Sequence, residues 1–151
     1  MLRYLTIALL LAHPHLFQEA TVTLQGGWTA SSGTRTFRGT WSAEVQSKTP
    51  DTAQGSWTLL DAGNRIIMKG TWAAQKSARG WSGTWSARVV TQTPKGSSAG
   101  NPISGSWRAD MDPDRRETLL EMLQRTVENS ASGTWRSGPY SGKWALSGSR
   151  Q

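Results

Sequence analysis

Nine tryptophans carry most of the chemistry open to this chain, and their spacing is regular. Eight of them stand two residues after a glycine. Trp28, Trp41, Trp57, Trp72, Trp85, Trp107, Trp135 and Trp144 follow Gly26, Gly39, Gly55, Gly70, Gly83, Gly105, Gly133 and Gly142. An indole offers a broad apolar face and a single N–H donor, so a set of indoles supports binding: aromatic walls around a small apolar ligand. These eight Trp are the candidate ligand-contacting residues. The competing reading is structural, with Trp packed over Gly filling the interior completely.

Catalytic groups are scarce. The chain has no cysteine, and its two histidines, His13 and His15, both fall within the first twenty residues. If that segment is removed, Cys nucleophiles, His bases and the usual zinc ligands are all missing. Asp110, Asp112 and Asp114 cluster, but they read better as the start of a helix. The expectation is a non-enzymatic protein with no catalytic residue, no metal and no cofactor. A Ser–Lys or carboxylate mechanism remains compatible with the composition.

The elements that would position the indoles follow from the flanking residues. Two residues before each Gly stands Leu24, Phe37, Ala53, Met68, Trp81, Ile103, Ala131 or Tyr140, and two after each Trp stands Ala30, Ala43, Leu59, Ala74, Ala87, Ala109, Ser137 or Leu146. Apolar or small residues at every second position are the period of a strand. The odd positions carry Ser, Thr, Lys and Arg, including Arg38, Lys69, Arg88, Arg108, Arg136 and Lys143. Each of eight strands thus has an indole face and a basic, hydroxylated face, as in an antiparallel sheet with one wet side. Pairing each Trp across from a neighbour's Gly puts chain reversals at Gly33-Thr34, Gly63-Asn64 and Gly138-Pro139. The first two have Gly first in a two-residue turn, which suits type II′ hairpins; Gly138-Pro139 is less typical, since Pro fixes its own φ, but Gly-Pro still marks a turn. Residues 46–52, 75–79 and 91–102 read as longer connections, the last as a surface loop.

Before the last two strands the pattern changes to a helix over about 112–129. Asp112 suits its N-cap and Pro113 its first turn, and Leu119, Leu120, Leu123 and Val127 form an apolar stripe. At the other end of the chain, Arg3 precedes an apolar run from Leu5 to Ala12 and a mixed stretch ending near Ala20. That is the order of a secretory signal peptide. The expected organisation is a signal peptide over 1–20 and one domain over 21–151, secreted or periplasmic. A buried first strand or helix is the alternative for the leading segment.

The fold class expected is all-β: an eight-stranded antiparallel up-and-down meander closed into a barrel, with one inserted helix capping a mouth or lying on the wall. Closure requires stagger between strands. The tight hairpins provide none in this register, so stagger is expected at the longer connections and the closing pair. Without it the sheet stays open, folds as a sandwich or pairs with a second chain. A membrane-spanning barrel would have to turn its indoles to lipid and its cations inward, against the usual pattern.

Gly39-Thr40-Trp41, Trp81-Ser82-Gly83-Thr84-Trp85 and Gly133-Thr134-Trp135 resemble the G-x-W strands of calycin barrels, the lipocalins and especially the avidins. The resemblance covers strand cores only and implies that a Trp-lined barrel of this size could hold a small ligand. From residue 21 on, sixteen Lys and Arg stand against nine Asp and Glu, a balance that favours anionic partners. The functional expectation is an exported binding barrel for a small apolar ligand. The alternatives are a structural or interaction module of the cell envelope and a basic-surface binder of anionic envelope polymers. Nucleic acid is not expected, because the indoles lie on the opposite face from the cations and cannot stack between them.

Overall fold

Strands form where the period-two pattern runs, and they close. The computed structural model describes residues 21–46, 51–93, 96–110, 117–128 and 131–148. The signal-peptide reading of 1–20 lies outside them. The strands are β1 (Thr21–Ser32), β2 (Arg35–Gln46), β3 (Thr52–Leu60), β4 (Ile66–Ser77), β5 (Gly80–Thr93), β6 (Gly96–Ala109), β7 (Ala131–Ser137) and β8 (Tyr140–Gly148), with one helix, α1 (Leu119–Glu128), between β6 and β7. They form a single closed antiparallel barrel in sequence order, β8 pairing back onto β1.

The hairpin register is the one the repeat dictates. Trp28 pairs with Gly39, Trp57 with Gly70, Trp85 with Gly105 and Trp135 with Gly142. At the other junctions like meets like: Trp41 faces Trp57, Trp72 faces Trp85 and Trp107 faces Trp135. This corrects the expected source of the stagger. Because Gly precedes Trp by two residues, each of the hairpins β1–β2, β3–β4, β5–β6 and β7–β8 sets its second Trp two residues nearer the helix end. The junctions β2–β3, β4–β5 and β6–β7 add nothing, and the closing pair, with Trp144 opposite Ala30, adds two more. The total is ten residues around eight strands. With ~3.3 Å per residue and ~4.8 Å between strands, that tilts the strands by roughly 40°, the usual tilt of a closed barrel.

The turns agree in two of three cases. Gly33 and Gly138 have φ of 58° and 55°, as the first position of a type II′ turn requires, and Pro139 suits the second, where φ is negative. At the third, the two-residue turn on Gly63-Asn64 is replaced by a five-residue loop, with the ladder shifted at Leu59/Leu60. The Asp61 carboxylate explains it. It accepts hydrogen bonds from the amides of Gly63 (2.8 Å) and Arg65 (2.9 Å) and from Arg65 Nε (2.8 Å), while Asn64 takes the left-handed conformation at φ 62°. The amide and guanidinium of Arg65 hold this carboxyl below the usual range of Asp.

Two expected loops are not loops. Between β4 and β5 only two residues turn, Ser77 pairing with Gly80. Residues 91–93 and 96–102 continue β5 and β6 as a ladder out to Thr93↔Gly96, and residues 94–95 lie outside those described. The β-branched run Val89, Val90, Thr91 favours strand, and Pro102, which lacks an N–H, sits at the register shift near Arg88/Val90.

The helix is also shorter than expected. It starts at Leu119, seven residues after Asp112, and residues 111–116 are outside those described. Thr118 rather than Asp112 caps it. Its hydroxyl accepts from the Glu121 amide at 3.2 Å, and the Glu121 carboxylate accepts from the Thr118 amide at 2.7 Å, a reciprocal capping box. The Thr118 amide and hydroxyl lower the Glu121 pKa, so this capping weakens as pH falls through the carboxylate range. Thr118→Ala should destabilise the protein by about 1 kcal/mol, read as a shift of the urea midpoint at unchanged slope; no shift would rule out the box as a working cap. Ten residues make α1 about 15 Å long. It closes one mouth of the barrel: Leu119, Met122 and Leu123 are buried in one cluster with Trp41, Ala43, Val45, Ala74, Trp81 and Ala109. Lys76 Nζ donates to the Glu117 carbonyl and fixes the approach to the helix.

Candidate functional site

The strand period turns all eight repeat indoles inward, and seven of the repeat glycines are each positioned to receive one. A Cβ built on Gly39 would lie 2.6 Å from Trp28, on Gly70 2.5 Å from Trp57, on Gly105 2.6 Å from Trp85 and on Gly142 2.8 Å from Trp135. Going the other way round the barrel, Gly55, Gly83 and Gly133 would meet Trp72, Trp107 and Trp144 at 2.7, 3.0 and 2.5 Å. The ring therefore lies on bare backbone, as aromatic rescue of a strand glycine requires.

The indoles reach further than the neighbouring strand. Trp28 Nε1, on β1, crosses Gly39 of β2 and donates to the Thr58 carbonyl of β3 at 2.9 Å. Trp72 crosses β3 to Ser42 O (3.0 Å), Trp107 crosses β5 to Ala73 O (3.1 Å) and Trp135 crosses β8 to Ser31 O (3.2 Å). Trp41 donates to Gly27 O at 3.0 Å and approaches Ser147 O of β8 at 3.4 Å. Trp57 and Trp144 donate to Thr71 O (3.3 Å) and Thr134 O (3.0 Å). Seven of the eight indole N–H groups thus end on backbone carbonyls. Odd-strand rings reach forward in strand order and even-strand rings backward.

This reach sorts the rings into two rows. Trp28, Trp57, Trp85 and Trp135 meet edge to face with centroids 5.6, 5.8 and 6.4 Å apart. Trp72, Trp107 and Trp144 do the same at 6.3 and 5.9 Å. Such T-shaped pairs contribute about 0.5–1.5 kcal/mol each beyond the area they bury.

The rows leave a cavity of about 350 Å³ between them, lined by all eight repeat Trp. Leu119, Met122 and Leu123 of α1 form its floor, and Phe37, Leu59, Met68, Ile103 and Tyr140 surround its mouth at the hairpin end. At ~30 Å³ per water, this is the volume of about a dozen waters, at the lower end of ligand pockets. Apart from the indoles, its polar side chains are Ser137 and Tyr140, and the Ser137 hydroxyl donates to Ser104 O at 2.7 Å. Among the described residues, the lining holds no carboxylate, amine, imidazole or thiol. Among the described residues no group of three or more His, Cys, Asp or Glu could hold a metal ion.

Sequence reasoning missed part of this wall. Met122 on the floor lay outside the helix stripe. The mouth residues Phe37, Met68, Ile103 and Tyr140 were in the repeat but not singled out; their common position, first in the template of an even strand, was the available signal. Trp81, the one tryptophan outside the G-x-W set, is fully buried, and its Nε1 has no acceptor among the described residues.

The outer wall is hydroxylated, with Thr40–Thr58 and Ser42–Ser56 hydroxyl pairs at 2.6 and 2.7 Å. Charge divides along the barrel axis. In the half nearer the hairpin mouth, the described charges are Arg35, Arg38, Arg65, Lys69, Arg88, Arg136 and Lys143 against Asp61 alone. In the half nearer the helix, Glu44, Asp51, Asp110, Glu117 and Glu121 accompany Lys76, Arg79 and Arg108. No helix among the described residues is long and apolar enough to cross a membrane.

No protein-family model, curated protein or solved structure matches this chain.

Proposed function

We propose that this protein is an exported, non-enzymatic binding barrel that takes a small apolar ligand into its Trp-lined cavity. The observation that carries this reading is the 350 Å³ space walled by eight indoles. Seven of their N–H groups are already given to backbone carbonyls. Such a wall offers dispersion and ring faces but almost nothing to hydrogen-bond. A polar ligand would lose its water without replacement, which is costly. An apolar one gains ~25 cal/mol per Å² buried. An aromatic cage also suits quaternary ammonium ions, but a net charge of +7 and a mouth ringed by cations oppose a cationic ligand. A neutral molecule, or an amphiphile with an anionic end left at the mouth, fits both charge and lining. A lining whose hydroxyls, Ser137 and Tyr140, have no carboxylate, imidazole or amine beside them among the described residues supports binding rather than turnover. A wall of Ser, Thr, Lys and Arg is unlike the apolar band of a membrane-spanning barrel.

The test is a titration with 1-aminoanthracene and, separately, with a medium-chain fatty acid, following Trp emission. Saturable, one-to-one binding in the micromolar range with a changed Trp spectrum is expected, because any occupant touches several indoles. Absence of saturable binding by both probes would remove the proposal and leave the indoles a purely structural role. A partner docked on α1 alone would leave the Trp spectrum unmoved.

A further inference from the structure

The exposed apolar side chains are not scattered. Ile66, Ile67, Val89, Ile103 and Tyr140 are the large apolar side chains exposed among the described residues, and Tyr140 is 67% exposed. All five lie at the hairpin end, and Ile103 and Tyr140 also line the cavity. The same end carries the excess of cations. Arg35 begins β2, Arg65 precedes β4, Arg88 stands beside Val89, and Arg136 lies four residues from Tyr140. Each of the four hairpins thus brings at least one exposed cation to this end, and three of them also bring an exposed apolar residue. The helix end has neither feature: its described charges are mixed with an excess of acids, and its large apolar groups are buried under α1.

We propose that the hairpin end of the barrel docks on an anionic lipid bilayer. Aliphatic and tyrosine side chains interleaved with Arg and Lys match the bilayer interface, where the apolar groups enter the headgroup region and the cations meet lipid phosphates. A free anionic polymer would use the cations but would have no use for Ile67 and Val89. The acidic helix end is repelled by the same surface, so charge alone orients the barrel mouth-down. In that pose the cavity mouth faces the membrane, and an apolar molecule could pass from bilayer to cavity with little exposure to water. The docking itself stands on the outer surface and does not depend on what the cavity holds.

The experiment is co-sedimentation of the full chain with phosphatidylcholine vesicles and with vesicles that also contain phosphatidylglycerol. Binding to the anionic vesicles, weak binding to the neutral ones and release by salt are expected. R35Q/R88Q should lower partitioning about 30-fold, at ~1 kcal/mol per cation near the surface. R79Q/R108Q, the same charge change at the helix end, should change it by no more than about twofold. I67S/V89S should lower it about tenfold at unchanged charge. All six positions are exposed, and unchanged near-UV circular dichroism verifies that each variant folds; if R35Q/R88Q does not, R136Q is the substitute. Equal losses from both charge pairs would reduce the effect to net charge. No loss from I67S/V89S would make the protein a polyanion binder instead. Binding untouched by any of these changes would place attachment in another segment, such as residues 1–20. Each of these results overturns the proposal.

Discussion

Gly39→Ala is expected to cost about 3–5 kcal/mol, although it adds one methyl group to a protein that already contains many alanines. The methyl would sit 1.7 Å from the Thr58 carbonyl oxygen and 2.6 Å from Trp28 Nε1. Neither neighbour can retreat. The oxygen belongs to the backbone of β3, and the indole is held to that same oxygen by a 2.9 Å hydrogen bond. To admit the methyl, β2 and β3 must part or the ring must leave its seat, breaking its hydrogen bond and its edge-to-face contact with Trp57. Overpacking alone costs roughly 1–3 kcal/mol, and the lost hydrogen bond and ring pair add about 1 kcal/mol each. For a domain of this size the melting temperature should fall by roughly 10–20 °C. Two other glycines serve as controls. Gly27 faces outward, where a Cβ would meet the Ser147 hydroxyl at 3.2 Å and the Gly39 carbonyl oxygen at an ordinary 3.8 Å; Gly27→Ala should be neutral within about 1 kcal/mol. Gly33 has open space but φ of 58°, so Gly33→Ala should cost about 1 kcal/mol through backbone strain. Thermal unfolding of the three variants decides it: similar losses at Gly39 and Gly27 would mean that the indole seat does not exist as described.

That seat marks the boundary of what the sequence could convey. Which face Trp28 occupies, and which glycine it meets across β1 and β2, follow from a period of two and a two-residue turn, both local properties. The carbonyl of Thr58 belongs to a third strand, so the reach of Trp28 over Gly39 could not be read from any pair of copies. The stagger escaped for a related reason: it is a sum of two-residue offsets around the whole ring, and no single hairpin displays it. Asp61 defeated the expected turn at Gly63-Asn64 because one carboxylate capturing two amides outweighs the Gly-first preference, and the residues of a tight turn do not announce such a competitor. The helix boundary moved because Thr118 and Glu121, spaced as a capping box, compete with Asp112 and Pro113 for the same role. The indole wall of the cavity was legible residue by residue. Its volume was not, since it depends on how far the T-shaped rows project inward and on Met122 rising from the floor.

Closure of the barrel gives the second large effect, at Trp135. The seam between β1 and β8 is crossed by two indoles running in opposite directions. Trp135 passes over Gly142 of β8 to reach Ser31 O of β1, and Trp41 passes back over β1 toward Ser147 O of β8. The β6–β7 junction beside it is the shortest ladder, pairing only Ser106 to Ala109 with Gly133 to Arg136. β7 therefore depends on Trp135 more than a longer strand would. Trp135→Ala removes a large side chain from the wall, its edge-to-face contact with Trp85 and the donor to Ser31, and should cost about 3–5 kcal/mol. Trp135→Phe keeps most of the ring area but leaves Ser31 O without its indole donor, and should cost about 1–2 kcal/mol. The distribution of the damage is the sharper check. Native-state hydrogen exchange should show the amides of the β1–β8 and β6–β7 ladders losing protection in Trp135→Phe before those of β2–β3 or β4–β5. Uniform loss around the barrel would mean that the ring only fills space and that the seam is held by its ladder alone.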